Sequence, residues 1–325
     1  MSTRIAVALA ASILVASPLA KSQPSDFESI VRLAKSRDRD AWRAAAHSLG
    51  ELARGSAEAR ERVWREARVN TLGMKLAEVP HGSFEMGPDV HRVFAMKPAH
   101  EVEITRDFFI DVTEVTNEEM QAVLGDFSPH PQFSPDPDSP AVNVDAETAA
   151  LFCRKLSEHE GVTYRLPTEA EWEYSCRAGS DTLFSFGSSA ADLSRHGWTA
   201  GRSRGRAARV ALLEPNEWGL FDMHGNAVEW TSDWYSESEY AKRAESGVAR
   251  DPRGPESGPS RVLRGGGWPA KEPLACSSTA RMPFPLLGRR AVGGEPPLIC
   301  VVGFRVVREA AERGAGVREG GRRAR

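Results

Sequence analysis

Residues able to do chemistry are few and scattered in this chain. It has four cysteines, Cys153, Cys176, Cys276 and Cys300, and eight histidines among 325 residues. Thiolates and imidazoles hold metals when they sit at tight spacing on one element. His47, His81, His91 and His100 show no such spacing. Ser277 and Ser278 have no histidine positioned by sequence to act as a base. The stretch "RGGGW" lacks the Gly-Lys-Ser/Thr ending of a phosphate loop and reads as a tight turn before Trp268. The densest stretch is "PNEWGLFDMHGNAVEWTSDWY", where Trp218, Trp230 and Trp234 interleave with Asp222, Asn226 and Glu229. A long irregular segment leaves backbone donors and acceptors without ladder partners. A hard cation satisfies such a segment with carbonyl and carboxylate oxygens together. An arginine paired with Glu229 and a left-handed turn at Asn226 are the metal-free alternative. The tryptophans are expected to pack as core around this loop.

The elements that must position these residues are legible in part. "MSTRIAVALAASILVASPLAKS", residues 1–22, reads as a secretory signal, with Arg4 ahead of an apolar run too short to span a bilayer. Residues 23–69 are helical in pattern: Trp42, Ala45, Ala46, Leu49 and Leu52 recur at helical steps, and Gly55 and Ser56 supply a stop and a new N-cap. Ala59, Val63 and Ala67 continue the stripe, so a helical hairpin packed on the rest of the chain, or a tethered spacer, is expected. From residue 70 onward short strands and turns dominate. Val102, Ile104, Phe108 and Ile110 alternate as in a half-buried strand. Thr116 with Glu119 and Thr168 with Glu171 form capping boxes, closed by Gly125 and Gly179. Asp145 caps a helix whose buried stripe is Ala149, Phe152, Cys153 and Leu156. "SPHPQFSPDPDSP" is a proline-rich loop, and only "SRVLRGGGW" and "ICVVGFRVV" read as strands beyond residue 179. Residues 309–325 are charged and glycine-rich and are expected to be disordered. A net charge of −3 gives no reason to expect a nucleic-acid partner, and "GRSRGRAAR" reads as a solvated loop.

Four stretches, "LPTEAEWEYSCRAG", "NEWGLFDMHGNAVEWTSDWY", "RVLRGGGW" and "VGFRVV", occur in the order and spacing of one family. Over Asn70 to Arg308 the chain resembles the formylglycine-generating enzyme family, also called the sulfatase-modifying factor family. The resemblance implies an α+β domain, related to the C-type lectin fold, with little regular secondary structure. It also implies a calcium site, in which Asp222 and Glu229 supply carboxylates and Gly225 and Ala227 supply carbonyls. A second calcium site of the oxidase branch has no match, because "WTAGRSRGRAARVALLE" is basic and lacks clustered carboxylates. Implied pairings are Cys176 with Cys276, and Cys153 with Cys300.

The oxidase branch carries a serine at the end of the "RGGS" turn and then two copper-binding cysteines five residues apart. Here Gly267 stands at the serine, Ala270 at the first cysteine, and Leu274 or Ala275 near the second. Copper is therefore not expected, since one displaced thiolate cannot form the pair. The expectation is an exported, secreted or periplasmic non-oxidase member that binds a peptide or protein in the family groove. Trp268, Arg281 and Arg305 are expected to line that groove, and no membrane span should remain after signal cleavage. The alternatives are a sulfatase-maturing oxidoreductase using Cys276 as a displaced ligand, and a maturation enzyme of different chemistry.

Overall fold

The computed structural model describes residues 24–36, 38–87, 98–284 and 298–310. The expected signal segment, His91 and residues 311–325 lie outside them. Three helices lead the described chain: α1 (Pro24–Ala34), α2 (Arg39–Arg54) and α3 (Ala57–Ala67). Asp38 caps α2 by accepting from Ala41 N at 2.8 Å, and Ser56 caps α3 by accepting from Ala59 N at 3.0 Å. The stripe Trp42, Ala45, Ala46, Leu49 of α2 is buried as its spacing predicts, with Leu52 half-buried. The segment is thus three helices instead of a hairpin. It is also no spacer, because Phe27, Trp42, Leu49 and Val63 share one core with Val79, Ile110, Trp172 and Met223.

Strands come next, as β1 (Leu76–Val79), β2 (Gly82–Met86), β3 (His100–Ile104) and β4 (Phe108–Asp111). The single half-buried strand expected around Val102 to Ile110 is two strands. β4 is buried at every position because both its faces are packed, Phe108 and Ile110 in that first core and Phe109 in a second. Helices α4 (Asn117–Leu124), α5 (Ala146–Glu160) and α6 (Glu169–Arg177) start on the expected caps. Both capping boxes are formed, at Thr116 with Glu119 and at Thr168 with Glu171. α5 buries Ala149, Phe152, Cys153 and Leu156 together. α6 ends on Ala178 in the left-handed region (φ 46°), one residue ahead of the expected Gly179. The proline-rich stretch holds no helix or strand.

Beyond α6 the chain is mostly loop, broken by the one-turn α7 (Leu193–His196), until β6 (Val228–Trp234). Then come α8 (Glu239–Ser246), β7 (Ala249–Arg250), β8 (Arg261–Arg264), β9 (Arg281–Phe284), β10 (Val302–Gly303) and β11 (Val307–Glu309). The sheets order as β1-β4-β11-β5, β10-β6-β8-β9 and β2-β3-β7, where β5 is Tyr164–Arg165. β11 lies antiparallel to β4, with Val307 opposite Ile110, so the last described strand sits inside the first sheet, between β4 and β5. Glu309 therefore belongs to a strand and not to a disordered tail. A second core gathers Phe152, Trp230, Trp268, Val302 and Phe304 between α5 and the β6 sheet. No helix among the described residues is long and apolar enough to cross a membrane.

Candidate functional site

The tryptophan-rich stretch is pinned where two distant segments cross it. Gly225 (φ 149°) passes so close to Trp198 that a Cβ would sit 2.4 Å from the Trp198 carbonyl oxygen. Asn226 then takes the left-handed conformation (φ 67°), and its N–H donates to that same carbonyl at 2.9 Å. Its carboxamide oxygen accepts from Ala208 N at 2.8 Å, and its carbonyl accepts from Trp268 N at 2.7 Å. Glu114 completes the clasp by accepting from Ala227 N at 3.0 Å and from Asn226 Nδ2 at 3.3 Å. Sequence reasoning missed Glu114; its only signal is a carboxylate inside the run "DVTEVT" between buried Val112 and Val115.

The carboxylates that the resemblance assigns to calcium are engaged in bonds of their own. Glu229 is fully buried, and Arg305 grips both its oxygens at 2.7 Å while Trp172 Nε1 donates to one of them at 2.7 Å. A guanidinium thus neutralises the charge that a cation would need. Asp222 turns one oxygen to Ala211 N at 2.7 Å, and burial pushes its carboxyl up to about 6. No three His, Cys, Asp or Glu side chains among the described residues are grouped to hold a metal ion. Asp222, Gly225, Ala227 and Glu229, as arranged, do not fit calcium. The metal-free alternative, an arginine on Glu229 and a turn at Asn226, is what the structure contains.

The residues expected to line a groove are buried as well. Trp268 is 4% exposed, Arg281 5% and Arg305 0%. Trp268 packs its ring on Phe133 at 5.4 Å inside the second core. Arg281 holds Glu169 at 2.6 and 3.0 Å, and Arg264 bridges Glu169 and Glu173 at 2.8 and 2.9 Å. All three expected residues are structural, because buried carboxylates from distant elements claim the arginines and the core claims the tryptophan.

Where the oxidase thiols would lie, the turn after β8 is tight at Gly266, while Ala270 is half-buried and Leu274 is exposed. Ala270 N donates to Gly267 O at 2.9 Å, and a Cβ on Gly266 would meet Cys276 Sγ at 2.5 Å. Cys153, Cys176, Cys276 and Cys300 are all buried free thiols, so neither expected pairing is formed. Burial pushes Cys153, Cys176 and Cys276 up to about 12, which keeps them protonated at neutral pH.

His224 sits at this junction. Its Nδ1 lies 2.8 Å from the Cys276 carbonyl, its Nε2 lies 2.8 Å from Ser185 Oγ, and Cys176 Sγ is 3.8 Å away. The carbonyl fixes the proton on Nδ1 and leaves Nε2 as an acceptor. Ser185 N also donates to Nε2 at 3.1 Å, so that lone pair is shared and Ser185 is held, not activated. Burial drives the imidazole down to about 4. The folded pKa lies below the ordinary histidine value, so the folded state resists protonation. Its contribution is complete above about pH 6.5 and is lost as pH falls toward 4. The full drop is about 3 kcal/mol at 1.36 kcal/mol per pKa unit. Denaturant melts at pH 7 and pH 4 should show the difference between wild type and His224→Gln shrink by roughly that amount. A His224 imidazole that titrates near 6.5 by NMR contradicts this placement.

Comparison with known proteins agrees with the fold. The sequence profile of the Sulfatase-modifying factor enzyme 1-like domain matches residues 65–310. The formylglycine-generating enzyme of Bos taurus is 36% identical over 144 residues, covering 41% of this chain and 36% of its own. That of Streptomyces coelicolor is 36% identical over 146 residues, 41% of this chain and 43% of its own. This chain thus spans less than half of those relatives' length. Among solved structures, PvdO from Pseudomonas aeruginosa superposes with a TM-score of 0.59 at 30% identity, covering 72% of this chain and 94% of its own. Treponema denticola variable protein 1 gives 0.62 at 25% identity, over 72% and 95%. With the fold, the four sequence stretches and the profile match in agreement, the chain belongs to the sulfatase-modifying factor family, the family of the formylglycine-generating enzyme.

Proposed function

We propose that this protein is an exported, non-oxidase member of the family that recognises a peptide or protein partner. One observation carries the reading: the paired cysteines of the oxidase branch are missing from the turn where they would bind copper. Ala270 contributes a methyl group, Gly267 removes the neighbouring hydroxyl, and the nearby Cys276 thiol is buried and protonated. Cu(I) is held by a pair of soft thiolates, and the single Cys276 does not make a pair. A fold of this kind separates shape from chemistry, so the scaffold persists when the reactive pair is gone. A protein partner agrees with the name of one relative, the chaperone protein LppX of Paenibacillus barcinonensis. That protein is 25% identical over 252 residues and is covered over 80% of its length. Export rests on the leading residues 1–22, which have the character of a secretory signal.

The test is aerobic incubation with copper and a cysteine-containing sulfatase peptide, read by mass. No conversion of the substrate cysteine to formylglycine is expected at any copper concentration. Turnover abolished by Cys276→Ser would instead establish the oxidoreductase with a displaced cysteine.

A further inference from the structure

A cavity of about 360 Å³ opens on the seam between α2 and the family domain. One wall comes from α2, with Trp42, Arg43, His47 and Arg54; Leu72, Lys75, Asp111 and Glu119 come from the domain. The α2 wall precedes the residues matched by the family profile, so the cavity combines family and non-family parts. Its volume lies at the small end of ligand sites.

The charges along the cavity are settled except one. Arg43 pairs with Glu118 at 2.7 Å, and Arg54 pairs with Glu51 at 2.9 Å and donates to the Thr71 carbonyl. Glu119 is folded back on Thr116 N as the cap of α4. Lys75 has no anionic partner among the described residues; its Nζ stands 5.1 Å from the Trp42 ring centroid, half-buried in the wall. Burial lowers its pKa, the mark of an ammonium that has lost water without gaining a counter-charge. Trp42 Nε1 and Asp111 Oδ2 are also buried without partners, but neither atom is open to the cavity. Burial and the neighbouring Glu119 hold the Asp111 carboxyl well above its usual range. The Lys75 ammonium thus lines this space without an anionic partner among the described residues.

The geometry points to a binding site for a single carboxylate, placed against Lys75 with its apolar stem along Trp42 and Leu72. One uncompensated positive charge matches a monoanion and leaves a phosphate dianion in excess. The carboxylate has two possible sources, a free small acid or the C-terminus of a peptide. This inference is independent of the lost oxidase chemistry.

Calorimetric titration of the full chain distinguishes the sources with propionate, trialanine, trialanine amide and inorganic phosphate as probes. Propionate or trialanine should saturate at millimolar concentration or below, the weak end of specific binding. Tighter binding of trialanine assigns the site to a peptide terminus, and tighter binding of propionate assigns it to a free acid. The amide should not bind. Lys75→Met should weaken binding at least tenfold, and Lys75→Arg should keep it within a few-fold, both with melting temperatures close to wild type. If Lys75→Met does not fold, Lys75→Arg and the amide control still decide. The inference is wrong if neither carboxylate saturates, if the amide binds equally, if phosphate binds more tightly, or if binding survives Lys75→Met.

Discussion

Replacing Arg305 by methionine should destabilise this protein by about 3–5 kcal/mol, the range for stripping one partner from a buried ion pair. For a chain of this size that lowers the melting temperature on the order of 10 °C. The cause is Glu229, fully buried, which would keep only the Trp172 indole as a donor. The backbone carbonyls of Asp111 and Phe221 would also lose the donors that Arg305 gives them at 3.0 and 3.1 Å. Adding Glu229→Gln to Arg305→Met removes the stranded charge while Trp172 keeps an acceptor, so the double variant should recover much of the loss. The same pair decides the metal question. With Glu229 committed to Arg305, a chelator should leave the melting curve of the wild type in place. A chelator-induced drop reproduced by Glu229→Gln would mean that Glu229 serves an ion and that the arginine is secondary.

The second large effect is expected at Gly225. An alanine there would place its methyl carbon 2.4 Å from the Trp198 carbonyl oxygen and 2.8 Å from the Trp198 nitrogen. Both are backbone atoms, so no side chain can swing aside. The residue also sits at φ 149°, where only glycine is comfortable. Backbone strain of about 1–3 kcal/mol and overpacking of about 1–3 kcal/mol together give a loss of several kcal/mol. Gly219→Ala is the control: its φ is also positive, at 78°, but no atom lies within 4 Å of the added carbon, so a smaller loss is expected. Equal losses in urea titrations would show that crowding at Trp198 contributes nothing.

Helix starts are legible in this sequence because their causes are local. Thr116, Asp145 and Thr168 cap helices through contacts three residues away, and the α5 stripe follows helical spacing. Strand β6 is hidden inside the tryptophan-rich stretch because its first five residues run buried, buried, buried, buried, half-buried, which breaks the period-two alternation. The groove assignment fails for the opposite reason. Arg281 and Arg305 look like surface cations in sequence, yet their carboxylates are 112 and 76 residues away. No spacing rule links Glu169 to Arg281 or Glu229 to Arg305; only the folded sheets do. Lys75 is equally silent, since its lack of a partner is a property of the seam and not of its neighbours in the chain.

That seam rests on two glycines. Gly50 of α2 lies against the turn before β1 so closely that a Cβ would come within 2.6 Å of Gly73 N, and one on Gly73 within 3.0 Å of His47 Cα. Backbone meets backbone there, with Trp42 stacked on Phe221 nearby and Trp64 edge-on to Phe109. The boundary that similarity draws at residue 65 therefore cuts through a folding unit. A chain begun at that boundary would uncover the apolar faces of Phe109 and Phe221 and lose one wall of the Lys75 cavity. In inheritance as in expression, the helices and the domain should travel together: transplanting either onto a relative means carrying both glycines with it.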